Sequence, residues 1–266
     1  MSNLADDRFD PVLRAPDNAE PLLDNDGLPI TELDPDSSDA LAEASATIAE
    51  LAAGKRSWRY GHVIVDEAQD LTPMQWRMIG RRARGGSMTI VGDLAQRSVG
   101  EPGSWSDHLP ESAGDFAYQE LTINYRSPAE INAVASVVLE ELAPELNAPR
   151  SIRASGHPPE VVAIPDLGSS LHHLVTQTRA AHPVGRLAVI GAEGIERQKI
   201  EGVQWVTPWQ SKGLEFDTVI LVEPARILEA EYGLSLLYVA LTRTTDRLTV
   251  AHRRDLPPLV AKALTT

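Results

Sequence analysis

The chain predicts an α/β protein whose mostly parallel sheets are flanked by helices, and three observations carry that expectation. His62-Val63-Ile64-Val65 are apolar or β-favouring, and they run straight into two adjacent carboxylates, Asp66 and Glu67. A strand apolar on both faces belongs inside a parallel sheet covered by helices, where ligands sit beyond the carboxyl ends of the strands. Short apolar runs then recur at Met88–Val91, Val161–Ile164, Leu187–Ile190, Val203–Val206, Thr218–Val222 and Leu248–Ala251. Helical or loop segments separate them, which is the rhythm of strand–helix–strand units. Finally, 266 residues suffice for one large domain or two small ones with cores of their own.

Composition narrows the classes. There is no cysteine, which excludes structural disulfides and thiolate metal sites and points to a reducing cytoplasm. The first residues are acidic and show no signal peptide, and no apolar run approaches the roughly 20 residues of a membrane span. The net charge of -14 is unevenly spread. Residues 1–50 carry 13 acids against two arginines, a net of -11, which leaves -3 for residues 51–266. The total therefore speaks neither for nor against a nucleic-acid surface on the body of the chain.

Residues 1–40, with five prolines and the single aromatic Phe9, cannot bury enough apolar surface to offset chain entropy. An acidic arm over 1–57 is expected, with an amphipathic helix over 39–53 that ends at Gly54. After the strand at 62–65, Thr72-Pro73-Met74-Gln75 forms a capping box with proline at the first helical position and starts a helix to about Arg82. Gly85-Gly86 ends it, and Met88–Val91 is a second buried strand. Ser127-Pro128-Ala129-Glu130 repeats the capping device before a helix to about Leu142. An acid that holds Mg²⁺, followed by one that orients a water, is what nucleoside triphosphate hydrolysis asks of a strand tip like that of Asp66-Glu67. Taken alone, the pair also fits the first turn of a helix, where acids stabilise the dipole.

Five blocks decide between those readings: DEAQD (Asp66–Asp70), VGDLAQ (Val91–Gln96), LTINYRS (Leu121–Ser127), TPWQSKGLEF (Thr207–Phe216) and LLYVALTR (Leu236–Arg243). In this order, over roughly residues 58–252, the series resembles the superfamily 1 helicases of the UvrD/Rep type. The resemblance implies RecA-like (P-loop NTPase) lobes. Residues 58–115 would be a partial first lobe, and residues 116–266 a complete second lobe. It also implies ATP and Mg²⁺ as cofactors. Asp66 would hold the metal, Glu67 would position the hydrolytic water, and Gln96 would sense the γ-phosphate. Arg126 and Arg243 would reach the γ-phosphate from the second lobe, an arrangement worth roughly 10³–10⁵ in rate. Glu215 would contact the nucleotide sugar, Lys212 and Gly213 would shape the loop beside it, and Tyr238 would support the cleft wall. Trp76, Trp105 and Trp209 read as core or cleft packing.

The chain also departs from the pattern. No G-x-x-x-x-G-K-[ST] phosphate loop occurs in it, so a cradle for the β- and γ-phosphates is missing. Only 85 residues separate Arg126 from Lys212, an interval that resembles the HelD group, ATPases that bind bacterial RNA polymerase. Arg97-Ser98-Val99-Gly100 replaces aromatic DNA contacts after Gln96, and Trp209 replaces a histidine in the fourth block. The implied partners are nucleic acid, DNA first, and RNA polymerase, with a separate chain supplying the phosphate-loop half. The isolated chain should hydrolyse ATP poorly or not at all. A non-catalytic module docking on polymerase stays open beside this reading.

Overall fold

The computed structural model describes residues 59–98, 103–109 and 115–265. The expected acidic arm and its helix over 39–53 lie outside them. The described residues from Arg59 onward belong to one compact unit.

Strand β1 (Val63–Val65) pairs in parallel with β2 (Met88–Ile90), with Val65 opposite Ile90. Helix α1 (Pro73–Arg82) crosses between them and starts on the expected capping box. Gln75 N donates to Thr72 Oγ1, and Thr72 N donates to the Gln75 side chain. Gly85 and Gly86 leave the helix at φ of 63° and 76°, a region that glycine enters without steric cost. Val65, Ala68 and the fully buried Trp76 form a small core, with Trp105 packed against it from α2 (Trp105–His108).

The expectation that both strands are buried on both faces is corrected here. Ile64 is 73% exposed, and Thr89 faces outward beside it. Strand alternation sends Val65 and Ile90 inward under α1, and among the described residues no helix covers the opposite face. His62 spans that face, with Nδ1 2.8 Å from Ser87 Oγ and Nε2 2.9 Å from Thr89 Oγ1.

Strands β3 (Ile123–Asn124) and β4 (Arg150–Ser151) form a second short parallel pair on either side of α3 (Ala129–Leu142). Pro128, not Ser127, occupies the cap of α3, and no side chain caps it. The expected device fails because the Glu130 carboxylate is engaged elsewhere, accepting from Ser155 N and Gly156 N at 3.1 and 2.8 Å.

The larger body is a five-stranded, all-parallel sheet. Its strands are β5 (Glu160–Ala163), β6 (Leu187–Gly191), β7 (Val203–Val206), β8 (Phe216–Val222) and β9 (Thr244–His252), in the spatial order β5-β9-β8-β6-β7. Helix α4 (Ser169–Ala181) covers one face, with Leu171 and Val175 against Leu187, Val189, Ile220 and Val222. The other face carries Ala188, Ile190, Val219 and Leu221 against α3, α6 (Gly233–Thr242) and α7 (Pro258–Leu264); α5 (Pro224–Leu228) joins β8 to α6. Adjacent residues of one strand thus serve opposite cores, and each fully buried branched side chain contributes about 1.5–3 kcal/mol. This is the predicted α/β architecture. β9 starts four residues before its predicted apolar run, because Asp246 and Arg247 hid its polar first half. No described helix is long and apolar enough to cross a membrane.

Ala95, from the short 3₁₀ turn Leu94–Gln96 after β2, is buried in the core of the larger sheet, and its carbonyl accepts from Ser235 Oγ at 2.8 Å. The chain after the small sheet is thereby seated on α6 and on the segment that carries Arg243.

Candidate functional site

Asp66 and Glu67 stand at the carboxyl end of β1, and both are exposed. Glu67 has φ 50° and ψ 38°, a left-handed conformation that costs a non-glycine residue about 1 kcal/mol or more. It persists because both flanks are fixed to one residue. Val91 N donates to Val65 O at 2.8 Å, and Ala68 N donates to Val91 O at 3.1 Å. Glu67 N donates to Asp66 Oδ1 at 2.8 Å. The side chain of Glu67 is also held, since Oε2 accepts from Gln69 Nε2 at 2.7 Å.

Gln69 is wholly buried, and it is the residue that the sequence analysis passed over. Its Oε1 accepts from Asp93 N at 3.1 Å, and its carbonyl accepts from Arg97 Nη1 at 2.7 Å. A Cβ on Gly92 would lie 2.5 Å from Gln69 Oε1, so glycine there is a packing requirement. Asp93 continues the chain of contacts. Its Oδ1 accepts from Ala95 N at 3.0 Å, and its Oδ2 accepts from Gln96 Nε2 at 2.9 Å. Burial pushes the Asp93 carboxyl above the usual carboxylate range, against the pull of Gln96 and Ala95. The signal for both residues was their place in the blocks: polar side chains just past the apolar strand ends need partners when buried.

Gln96 Oε1 then receives Arg243 Nη2 at 3.0 Å. The Arg243 guanidinium is buried and also donates to Val239 O at 3.2 Å, Leu214 O at 3.4 Å and Thr242 Oγ1 at 3.2 Å. Burial lowers its pKa first, and the nearby charge of Arg126 lowers it further. Glu67, Asp93 and Glu215 act the other way. The side chain stays cationic. Arg126 sits on a turn built by Asn124, whose Oδ1 accepts from Arg126 N at 2.9 Å and Ser127 N at 3.1 Å. Its Nε lies 2.5 Å from Glu215 Oε1, both side chains being about two-fifths exposed. Tyr125, beside it, is 72% exposed.

The fold therefore brings Glu67, Gln96, Arg126, Glu215 and Arg243 into one electrostatic neighbourhood. Lys212, expected to shape the loop beside the nucleotide, spends its ammonium on protein groups. Its ammonium donates to Asp70 Oδ2 at 2.6 Å, Gln96 O at 2.7 Å and Ser98 Oγ at 2.5 Å, which takes all three of its hydrogens. It is a clamp between the small sheet and the large one, with the half-exposed Trp209 ring 4.6 Å from Nζ. Gly213, at φ 70° with open space around it, makes the turn. Tyr238 is buried in the larger core, and its hydroxyl pKa is raised by burial and then by Asp93.

Among the described residues no three His, Cys, Asp or Glu side chains form a ready metal cage. Mg²⁺ does not require one, because a single carboxylate together with substrate phosphates and water is enough. The exposed Asp66, which forms no ion pair with a described residue, fits that donor set.

Residues 29–97 match the UvrD/REP helicase N-terminal domain. That match includes both strand-tip acids, Gln69, Asp93 and Gln96, and it begins inside the stretch assigned above to the acidic arm. Among solved structures, the C-terminal domain of a possible DNA helicase from Lactobacillus plantarum WCFS1 is 22% identical, with TM-score 0.38, over 53% of this chain and 94% of that one. The arterivirus nonstructural protein 10 helicase is 20% identical with TM-score 0.46, over 79% of this chain and 42% of its own. The same helicase in complex with DNA is 18% identical with TM-score 0.46, over 79% and 43%. The chain spans less than half the length of these viral helicases. No curated protein matches it.

Proposed function

We propose that the chain is the C-terminal part of a helicase- or translocase-type ATPase of the UvrD superfamily, HelD-like, which uses ATP and Mg²⁺ to remodel nucleic-acid or RNA polymerase complexes. The observation that carries the proposal is the meeting of Arg243 with Gln96, while Glu67, Arg126 and Glu215 act on the same guanidinium. Glu67, Gln96, Arg126, Glu215 and Arg243 are far apart in the chain, and the five sequence blocks supply all of them.

In this reading Asp66 would hold Mg²⁺, which would neutralise charge on the phosphate oxygens. Glu67, steered by Gln69, orients the attacking water and takes its proton. Arg126 and Arg243 face the negative charge that builds on the transferred phosphoryl group, where preorganised donors act without reorganising. Gln96, which touches both Asp93 and Arg243, senses the γ-phosphate in this reading. Tyr125 offers an aromatic face to the base, and Glu215 contacts the sugar once Arg126 turns to phosphate. Residues 58–115 serve as a partial lobe and residues 116–266 as a complete one.

In this reading turnover needs a complementing segment that supplies the phosphate loop, for which residues 1–266 have no pattern. Calorimetry with Mg-ATPγS tests the binding site: micromolar binding that weakens in Arg126→Ala and Arg243→Ala supports it, and no binding by the unaltered chain overturns it. Steady-state ATPase tests the missing half, since turnover at the level of a complete helicase would contradict it.

One observation favours a second reading, a non-catalytic module docking on RNA polymerase. Lys212 and Arg243 are satisfied by protein groups, so these side chains need no nucleotide to hold their positions. Polymerase capture that is nucleotide-independent and lost on deleting residues 1–50 would favour the module.

A further inference from the structure

We infer that Arg153 is a positioning residue for the two arginines, a guanidinium whose single Nη2 ties the Arg126 turn to the strand leaving Arg243. The inference rests on the nucleotide reading of the cleft. Arg153 Nη2 donates to two main-chain carbonyls, those of Arg126 and Thr245. The first belongs to the turn before α3, and the second to β9, two residues past Arg243.

The backbone of Arg153 is fastened to the same turn. Its carbonyl accepts from Ala129 N at 2.7 Å, at the first residue of α3. Just before it, Ile152 N donates to Asn124 O at 3.1 Å, and Ser151 Oγ donates to Ser127 O at 2.7 Å. Just after it, Ser155 N and Gly156 N rest on the Glu130 carboxylate. His157 then crosses to β9, with Nδ1 3.3 Å from Asp246 Oδ1 and Nε2 2.6 Å from Arg247 Nη2. Residues 150–157 are therefore a strap with one margin on α3 and the other on β9. Within it, Arg153 is where a single nitrogen bridges both margins.

The physical need for such a tie is specific. Arg126 is carried by the turn before α3 and Arg243 by the segment leading into β9, so their relative placement depends on how these two backbones are joined. Asn124 holds the amides of the Arg126 turn, but its bonds reach no part of β9. Arg153 supplies that cross-link, and the two carbonyl dipoles it binds compensate its own positive charge. Misplacing a charge-stabilising group by about 1 Å can cost about 10²-fold in function, so a tie at this point acts on the site without touching a ligand.

The test compares the full chain with Arg153→Met and Arg153→Lys. Two quantities are read: affinity for Mg-ADP and Mg-ATPγS, and hydrogen exchange along the chain. Arg126 and Arg243 face the terminal phosphate, so Arg153→Met should cut the preference for triphosphate over diphosphate by about tenfold, with Mg-ADP affinity held within about twofold. The amides of Arg126, Ser127 and Ala129 and those at 245–247 should exchange faster in that variant. Arg153→Lys should restore most of both, because one ammonium can donate to both carbonyls. Equal weakening for the two nucleotides, an unchanged preference, or lysine behaving as methionine would show a general brace and overturn the inference. If the unaltered chain binds neither nucleotide, the nucleotide reading falls before any variant is compared. Hydrogen exchange then decides by itself whether Arg153 holds the two segments together.

Discussion

Arg243 donates from Nη2 to Gln96 Oε1 at 3.0 Å, and the same Gln96 donates from Nε2 to Asp93 Oδ2 at 2.9 Å. One amide therefore joins a buried cation to a partly buried carboxyl without direct contact between the charges. Gln96→Ala removes an acceptor from Arg243 and a donor from Asp93 together. Stability in urea should fall by about 2 kcal/mol, the cost of leaving such groups unsatisfied. A change under about 0.5 kcal/mol would mean that water replaces the amide without loss.

Lys212→Met tests the clamp between the sheets. Lys212 and Asp70 side chains are only 12% and 21% exposed, so removing the ammonium leaves an acid partly buried and unpaired. Thermal and urea unfolding should show a loss of about 3 kcal/mol, with partial recovery when Asp70→Asn is added. An additive double variant would argue that the two side chains do not act as a pair.

Gly92→Ala should destabilise the chain by about 1–3 kcal/mol, the usual cost of overpacking. The new Cβ would meet Gln69 Oε1 at 2.5 Å and the Trp105 ring at 2.8 Å. Adding Gln69→Ala should recover part of the loss, because it withdraws the nearer obstacle. A neutral single variant would mean that the loop after β2 moves freely.

The pH dependence follows from Asp93. Burial favours its neutral form, so the folded protein keeps this proton to higher pH than the unfolded chain does. Acid therefore favours the fold at this position. The contribution is full below the ordinary value of 3.8 and is lost as pH rises through the elevated folded value. Urea unfolding at stepped pH should show this downward trend above about pH 4 in the unaltered chain and a flatter one in Asp93→Asn. Identical slopes would assign the trend to other groups.

Much of the architecture was legible in the sequence, where the cause is local. The Thr72–Gln75 capping box and the Gly85-Gly86 stop act within a few residues, and both formed as read. The strands of the large sheet announced themselves because burial on both faces forces unbroken apolar runs such as Val219–Val222. The small sheet misled for the same reason. Ile64 is apolar yet 73% exposed, and hydrophobicity in the chain does not say whether a covering helix is present. Ser127-Pro128-Ala129-Glu130 misled in another way, since Glu130 bonds with a loop 25 residues downstream.

The sequence by itself determined the chemical types at the site and their order, because side-chain chemistry and short-range spacing are written in the chain. Only the tertiary structure decided what each group touches. It gave the ammonium of Lys212 to Asp70, 142 positions away, and buried Arg243 against Gln96, 147 positions away. Such pairings depend on how sheets and helices stack, and a linear pattern carries no record of distances that arise only when remote segments are packed together.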